Sequence, residues 1–163
     1  MKKYNILFLC THNSARSVIG EALASTHQSG KFIGYSAGSS PGTSVNPFAA
    51  ALAKEMGYPE SQLRSKSWDE FGRPEAPKMD FIITVCDNAA GEVCPIWPGQ
   101  PATAHWGFSD PSQIQGNDIE KKLAFASVMN GLKRRLDILA ALPIERLDSL
   151  SLQKELRAIH KSE

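Results

Sequence analysis

The chain has 163 residues, 42% of them hydrophobic and 21% charged, with a formal net charge of +1. That length supports one domain with a single substantial core, and the near-neutral balance gives no electrostatic ground for a nucleic-acid partner. No apolar run approaches the roughly 18 residues of a membrane span, and the run after Lys2-Lys3 is too short for a secretory signal, so the expected location is cytoplasmic.

Residues 4–10 read as a buried parallel strand, because Ile6, Leu7, Phe8 and Leu9 are continuously apolar rather than alternating. Ser17 is expected to cap a helix carrying Val18, Ile19, Ala22 and Leu23 and fading by Gly30. "KFIGYSAG" is a second strand ending in a small-residue turn. "NPFAAALAKEMG" is a helix with Asn46 as cap, Pro47 in its first turn and Gly57 as stop. "MDFIITVC" (79–86) is a third strand and "ATAHW" a weaker fourth. A long helix follows over about 117–142, with Leu123, Val128, Leu132, Leu136 and Leu139 available for a core stripe. The last segment spaces Ile144, Leu147, Leu150, Leu156 and Ile159 as a helix would. Strands alternating with helices imply an α/β fold: a four-stranded parallel sheet flanked by helices on both faces, with right-handed crossovers. The expected division is a domain over 1–143 and a C-terminal helical extension over 144–163.

Three cysteines, an odd number, fit poorly with a secreted disulfide framework, so each needs its own explanation. Cys10 closes the first strand, and Arg16-Ser17 opens the helix after five intervening residues. The spacing alone is weak evidence. The setting strengthens it, since the end of a parallel strand is where α/β sheets place ligands. A loop wrapped around a helix N-terminus aims backbone N–H groups at one point, and an arginine adds a planar fork suited to a tetrahedral oxyanion. The same positive field favours the thiolate of Cys10, the reactive form of a thiol. Ser17 is close enough in sequence to donate a hydrogen bond to that thiolate, and Asn13 to hold the loop's shape. The plainer alternative is a structural cysteine beside a surface arginine, but a strand-end cysteine in a polar turn is poorly placed for packing.

"CTHNSARS" after an apolar strand resembles the phosphate loop of the low-molecular-weight protein tyrosine phosphatases and of the arsenate reductases built on that fold. "YSAGSSPG" resembles their second strand and turn, and "FSDPS" their Asp-Pro acid loop. "TVCDNAAGEVCPIWPGQ" with "AHWGFSDP" is similar to the surroundings of the reductases' redox cysteines. The resemblance covers about residues 4–140. It implies that Cys10 is the nucleophile, that Thr11, His12, Asn13, Ser14, Ala15 and Arg16 cradle the oxyanion, and that Asp110 is the proton donor. It further implies a relay in which Cys86 attacks Cys10 and Cys94 attacks Cys86. The substrate would be arsenate, with phosphate or sulfate competing, and the electrons would come from thioredoxin or from glutathione with glutaredoxin. The expected enzyme is a monomer with no bound cofactor.

If the segment between Cys86 and Cys94 were helical, eight residue steps would separate their Cα atoms by roughly 12 Å, and a disulfide needs them within about 7 Å. Pairing therefore requires unwinding, which Gly91 eases. No Cys-x2-Cys or His-x3-His pair has zinc-site spacing, so no metal is expected. Some relatives resemble a potassium-binding design whose matching positions here are Asn13, Glu21 and Ser36, but the aspartate expected near Ser67 is missing beside Lys66. His12 and His105 are not required by the chemistry, and Trp106 is expected to pack. Two rivals stay open. A phosphatase would use Cys10, Arg16 and Asp110 alike, although Ser112 stands where phosphatases of this fold carry an aromatic residue. A non-catalytic oxyanion or redox sensor would use the loop without turnover.

Overall fold

The computed structural model describes residues 2–42, 44–85 and 101–161. Four strands, β1 (Tyr4–Cys10), β2 (Phe32–Gly38), β3 (Phe81–Thr84) and β4 (Ala102–His105), form one parallel sheet in the order β2-β1-β3-β4. Helix α1 (Arg16–Ser25) follows β1, α2 (Pro47–Glu55) follows β2, and α3 (Asp118–Ala141) and α4 (Ser149–Lys161) close the chain.

The central strand explains the architecture. Ile6 and Phe8 join a core cluster with Val18, Ile19, Phe125, Leu132 and Leu136, all essentially buried. Leu7 and Leu9 point the other way, into a second cluster with Ala37, Trp68, Phe71 and Ile82, where a short 3-10 turn at Trp68–Phe71 covers the sheet. A strand covered on both faces needs apolar residues at every position, which is why its run does not alternate. The chain goes from β1 to β2 on one side and returns to β3 on the other. This reversal opens a crevice at the carboxyl end of β1.

The helix boundaries follow local chemistry. Asn46 accepts from Phe48 N–H at 2.9 Å, and Pro47 starts α2. Asn117 and Glu120 form a reciprocal capping box on α3. Three expectations are corrected. Ser17 does not cap α1: the helix begins at Arg16, and Ser17 is fully buried inside its first turn. Leu123 lies 64% exposed, and Phe125 takes the core position instead, because the stripe of α3 rotates toward Val128 and Leu132. Leu150 is 82% exposed, whereas Leu156 and Ile159 are buried among the core residues. Among the described residues, no helix is long and apolar enough to cross a membrane.

Candidate active site

Cys10, 5% exposed, is the last residue of β1, opposite Gly38 of β2. The loop after it is shaped by where its carbonyls go. Ser40 N–H donates to Thr11 O at 2.9 Å, Gly42 N–H to His12 O at 3.0 Å, and Asn46 N–H to Ser14 O at 2.8 Å. The Ser65 hydroxyl donates to Asn13 O at 2.7 Å. In a trans peptide the C=O and the following N–H point in opposite directions. Tying four successive carbonyls outward therefore turns the N–H groups of His12, Asn13, Ser14 and Ala15 toward the cleft. That is an anion nest at the start of α1.

Two residues make the close turn possible. Asn13 has φ 50°, the left-handed region that asparagine tolerates better than most side chains. Gly38 lets β2 pass under the loop, since a Cβ there would lie 2.5 Å from Thr11 O and 2.9 Å from Cys10 O. Asn13 is fully buried. Its Nδ2 donates to Ser17 Oγ at 2.9 Å and its Oδ1 accepts from Lys66 N–H at 2.9 Å. Ser17 Oγ is thus used as an acceptor, and its hydroxyl proton remains to be donated.

Opposite the loop, residues 105–113 form the far wall of a cleft of about 870 Å³. Arg16 reaches across it. Its Nη1 donates to Phe108 O at 2.7 Å and its Nη2 lies 3.7 Å from Asp110 Oδ2. The buried Arg16 Nε has no hydrogen-bond acceptor among the described residues. Burial by itself would raise the Asp110 carboxyl, but hydrogen bonds from the Ser112 hydroxyl (2.6 Å) and N–H (2.9 Å), with Arg16 nearby, outweigh it. The net effect holds Asp110 below the usual aspartate range.

Behind the loop lies a buried ion pair that the sequence pattern did not announce. Lys66 and Glu21 side chains are each 6% exposed, with Nζ 3.5 Å from Glu21 Oε1. The ammonium also lies 3.0 Å from Arg64 O, 3.3 Å from Ser36 Oγ and 3.5 Å from Asn13 Oδ1. It occupies the space among Asn13, Glu21 and Ser36, the three residues matching the potassium design. Burial lowers the Lys66 amine and Glu21 opposes that shift. Tyr58 donates to the other Glu21 oxygen, and its phenol is raised by burial and by that contact.

The structure thus brings Cys10, Thr11, His12, Asn13, Ser14, Ala15, Arg16, Ser17 and Asp110 together, while Cys86 and Cys94 lie outside the described residues. Val85, just before Cys86, donates its N–H to Leu9 O at 2.9 Å, beside Cys10. His12 Nδ1 lies 3.1 Å from Ser40 O and His105 Nδ1 2.8 Å from Thr84 Oγ1, and Trp106 is fully buried. No group of three or more His, Cys, Asp or Glu suited to a metal ion occurs among the described residues.

A strand-end cysteine, an anion nest and an arginine fork facing an aspartate define an oxyanion-handling thiol site on a parallel sheet. The model of the low molecular weight phosphotyrosine protein phosphatase family matches residues 5–157, and the chain belongs to that family. Within it, the chain is 36% identical to an arsenate reductase of Halalkalibacterium halodurans over 140 residues, 86% of this chain and 97% of that protein. A solved arsenate reductase in its phosphate-binding state superposes with a TM-score of 0.62 at 28% identity, covering 86% of this chain and 98% of the other. The thioredoxin-dependent arsenate reductase of Corynebacterium glutamicum shares the fold, with a TM-score of 0.57 at 22% identity over 83% of this chain and 61% of that one.

Proposed function

We propose that this protein is an arsenate reductase in which Cys10, Cys86 and Cys94 act in sequence. The observation that carries the reading is the cleft itself. Loop N–H groups, the Arg16 fork and a buried Arg16 Nε surround the place beside Cys10 where a tetrahedral oxyanion would sit. Arsenate fills that place as phosphate or sulfate would, which makes those ions competitors.

The Cys10 thiolate, held by the Ser17 hydroxyl, attacks arsenic and an oxygen leaves as water. Asp110 supplies the proton. Ser112 and Arg16 hold its carboxyl low, and an oxyanion that engages Arg16 places negative charge beside Asp110. Both effects of the oxyanion raise the carboxyl, so proton uptake is coupled to substrate binding. The Cys86 thiolate then attacks Cys10 sulfur. The sulfur–arsenic bonding pair passes to arsenic, arsenite departs, and a Cys10–Cys86 disulfide remains. The position of Val85 beside Leu9 supports this reach. Cys94 attacks Cys86, freeing Cys10, and an external dithiol reduces the Cys86–Cys94 bond. The two electrons taken by arsenic are returned in that last step. Thioredoxin is the donor we favour, with glutathione and glutaredoxin as the alternative, and the enzyme works as a cytoplasmic monomer.

A phosphatase would share Cys10, Arg16 and Asp110. Ser112 separates the two readings: it binds Asp110 and offers no aromatic face to a phosphotyrosine ring. The test is arsenate-dependent NADPH oxidation with the thioredoxin system, and separately with glutathione and glutaredoxin, beside an aryl phosphate assay. Cys94→Ser should lose multiple turnover of arsenate and keep any aryl phosphate hydrolysis. Aryl phosphate turnover without arsenate reduction under either donor would replace this reading by the phosphatase. Phosphate binding without either activity would leave a sensor.

A further inference from the structure

The last turn of α4, which plays no part in the steps above, reaches the cleft through a single residue. His160, near the end of that helix, lines the same cleft as Arg16 and Asp110. The helix is firmly seated. Leu156 is fully buried and Ile159 is 3% exposed, Trp106 Nε1 donates to Leu156 O at 3.1 Å, and Arg157 Nε donates to Thr103 O at 3.1 Å. Thr103 meets Arg157, and the rings of His105 and His160 lie 6.3 Å apart. The helix therefore runs along β4 in the same direction, and its last turn arrives at the carboxyl end of the sheet, where the cleft is.

From His160 a chain of contacts leads to the oxyanion fork. Its Nδ1 accepts from Arg135 Nε at 3.4 Å. Arg135 is 5% exposed, donates Nη1 to Gly131 O at 2.8 Å, and lays its guanidinium 4.6 Å over the Phe108 ring. Phe108 is packed against Gly131 so closely that a Cβ there would lie 2.5 Å from its Cε1. The Phe108 carbonyl accepts from Arg16 Nη1, and Asp110 follows two residues later. A buried guanidinium keeps its orientation only while its N–H groups are matched by acceptors.

We infer that His160 is a positioning residue of the oxyanion site. Its Nδ1 fixes Arg135 over Phe108, and through Phe108 it sets the reach of Arg16. This rests on the reading of the cleft as an oxyanion site, so the experiment measures inorganic phosphate binding to the full chain by calorimetry. Wild type, His160→Ala, His160→Asn and Arg135→Lys are compared, with melting temperatures alongside. His160→Ala should weaken phosphate binding about tenfold, as expected for losing a hydrogen bond to a charged group. Asparagine, whose Oδ1 stands near the Nδ1 position, should restore it to within about twofold. In the Arg135→Lys background, which lacks the Nε donor, His160→Ala should add nothing further, since the two act as a unit. If His160→Ala does not fold, Arg135→Lys alone still decides: it removes the Nε donor to His160 and should also weaken phosphate binding, and wild-type affinity there would overturn the inference. Unchanged phosphate affinity in His160→Ala, or a loss that asparagine does not restore, would reduce the residue to packing. Absence of phosphate binding by the wild type would instead overturn the oxyanion reading, and this inference with it.

Discussion

At the scale of single residues, the site depends on what each polar atom is already committed to. Asp110 has one oxygen held by both the hydroxyl and the N–H of Ser112, so it waits as a carboxylate rather than as an acid. Ser112→Ala removes the hydroxyl bond and should move the Asp110 carboxyl upward, toward the usual aspartate range, as read by carboxyl NMR titration. Asp110→Asn abolishes that titration and should lower arsenate turnover by about 10²-fold or more, the usual contribution of a general acid. Cys10, Arg16 and the loop were legible in the sequence because they lie within eight consecutive residues, where strand end, turn and helix start are local events. The role of Ser17 as a cap was misread for a physical reason. Asn13 at φ 50° tightens the loop so that α1 starts two residues earlier, with Ala15 at the cap position, and the serine is drawn inside to meet Asn13 Nδ2.

At the scale of elements, the loop is held as much by its neighbours as by its own sequence. Ser40, Gly42 and Asn46 of the β2–α2 connection, with Ser65 and Lys66, take its carbonyls and the Asn13 amide oxygen. Lys66 adds a buried charge whose ion-pair partner is Glu21, equally buried, with Glu70 contributing more weakly. Lys66→Met should cost about 3–5 kcal/mol, because it leaves Glu21 charged and buried without its partner. Adding Glu21→Gln should recover a large part of that loss, since removing both charges of a buried pair is far cheaper than removing one. Chemical denaturation of the two variants beside wild type checks both statements. If the single variant is as stable as wild type, the pair is not what holds this side of the loop. Nothing in "RSKSW" announces such a role: the contacts span 30 to 53 residues, and no periodicity records them.

At the scale of the whole molecule, α3 ties the two ends of the fold together. Its Asp137 binds His27, just beyond α1, at 2.7 Å, and its Arg135 meets His160 of α4. Burial acts to raise the Asp137 carboxyl, but the hydrogen bonds from His27 and Lys133 dominate and lower it. A carboxyl lower in the folded than in the unfolded state contributes stability above the ordinary aspartate value of about 3.9, and loses it as pH falls through the folded value. The stability gap between wild type and Asp137→Asn should therefore be full above about pH 5 and close in more acidic solution, as followed by denaturation across that range. A gap independent of pH would mean that the contact acts through packing alone. Sequence alone determined the order of strands and helices, the continuous apolar character of β1 and the Cys10–Arg16 loop, because hydrophobic period and turn chemistry act between near neighbours. It also placed Asp110 beside the loop through a family likeness rather than through any local rule. Only the tertiary structure decided which face of α3 is buried, that Lys66 sits among Asn13, Glu21 and Ser36, and that α4 delivers His160 to the cleft. Each of these depends on how the packed sheet brings distant segments together, and a contact between residues far apart in the chain leaves no pattern along it.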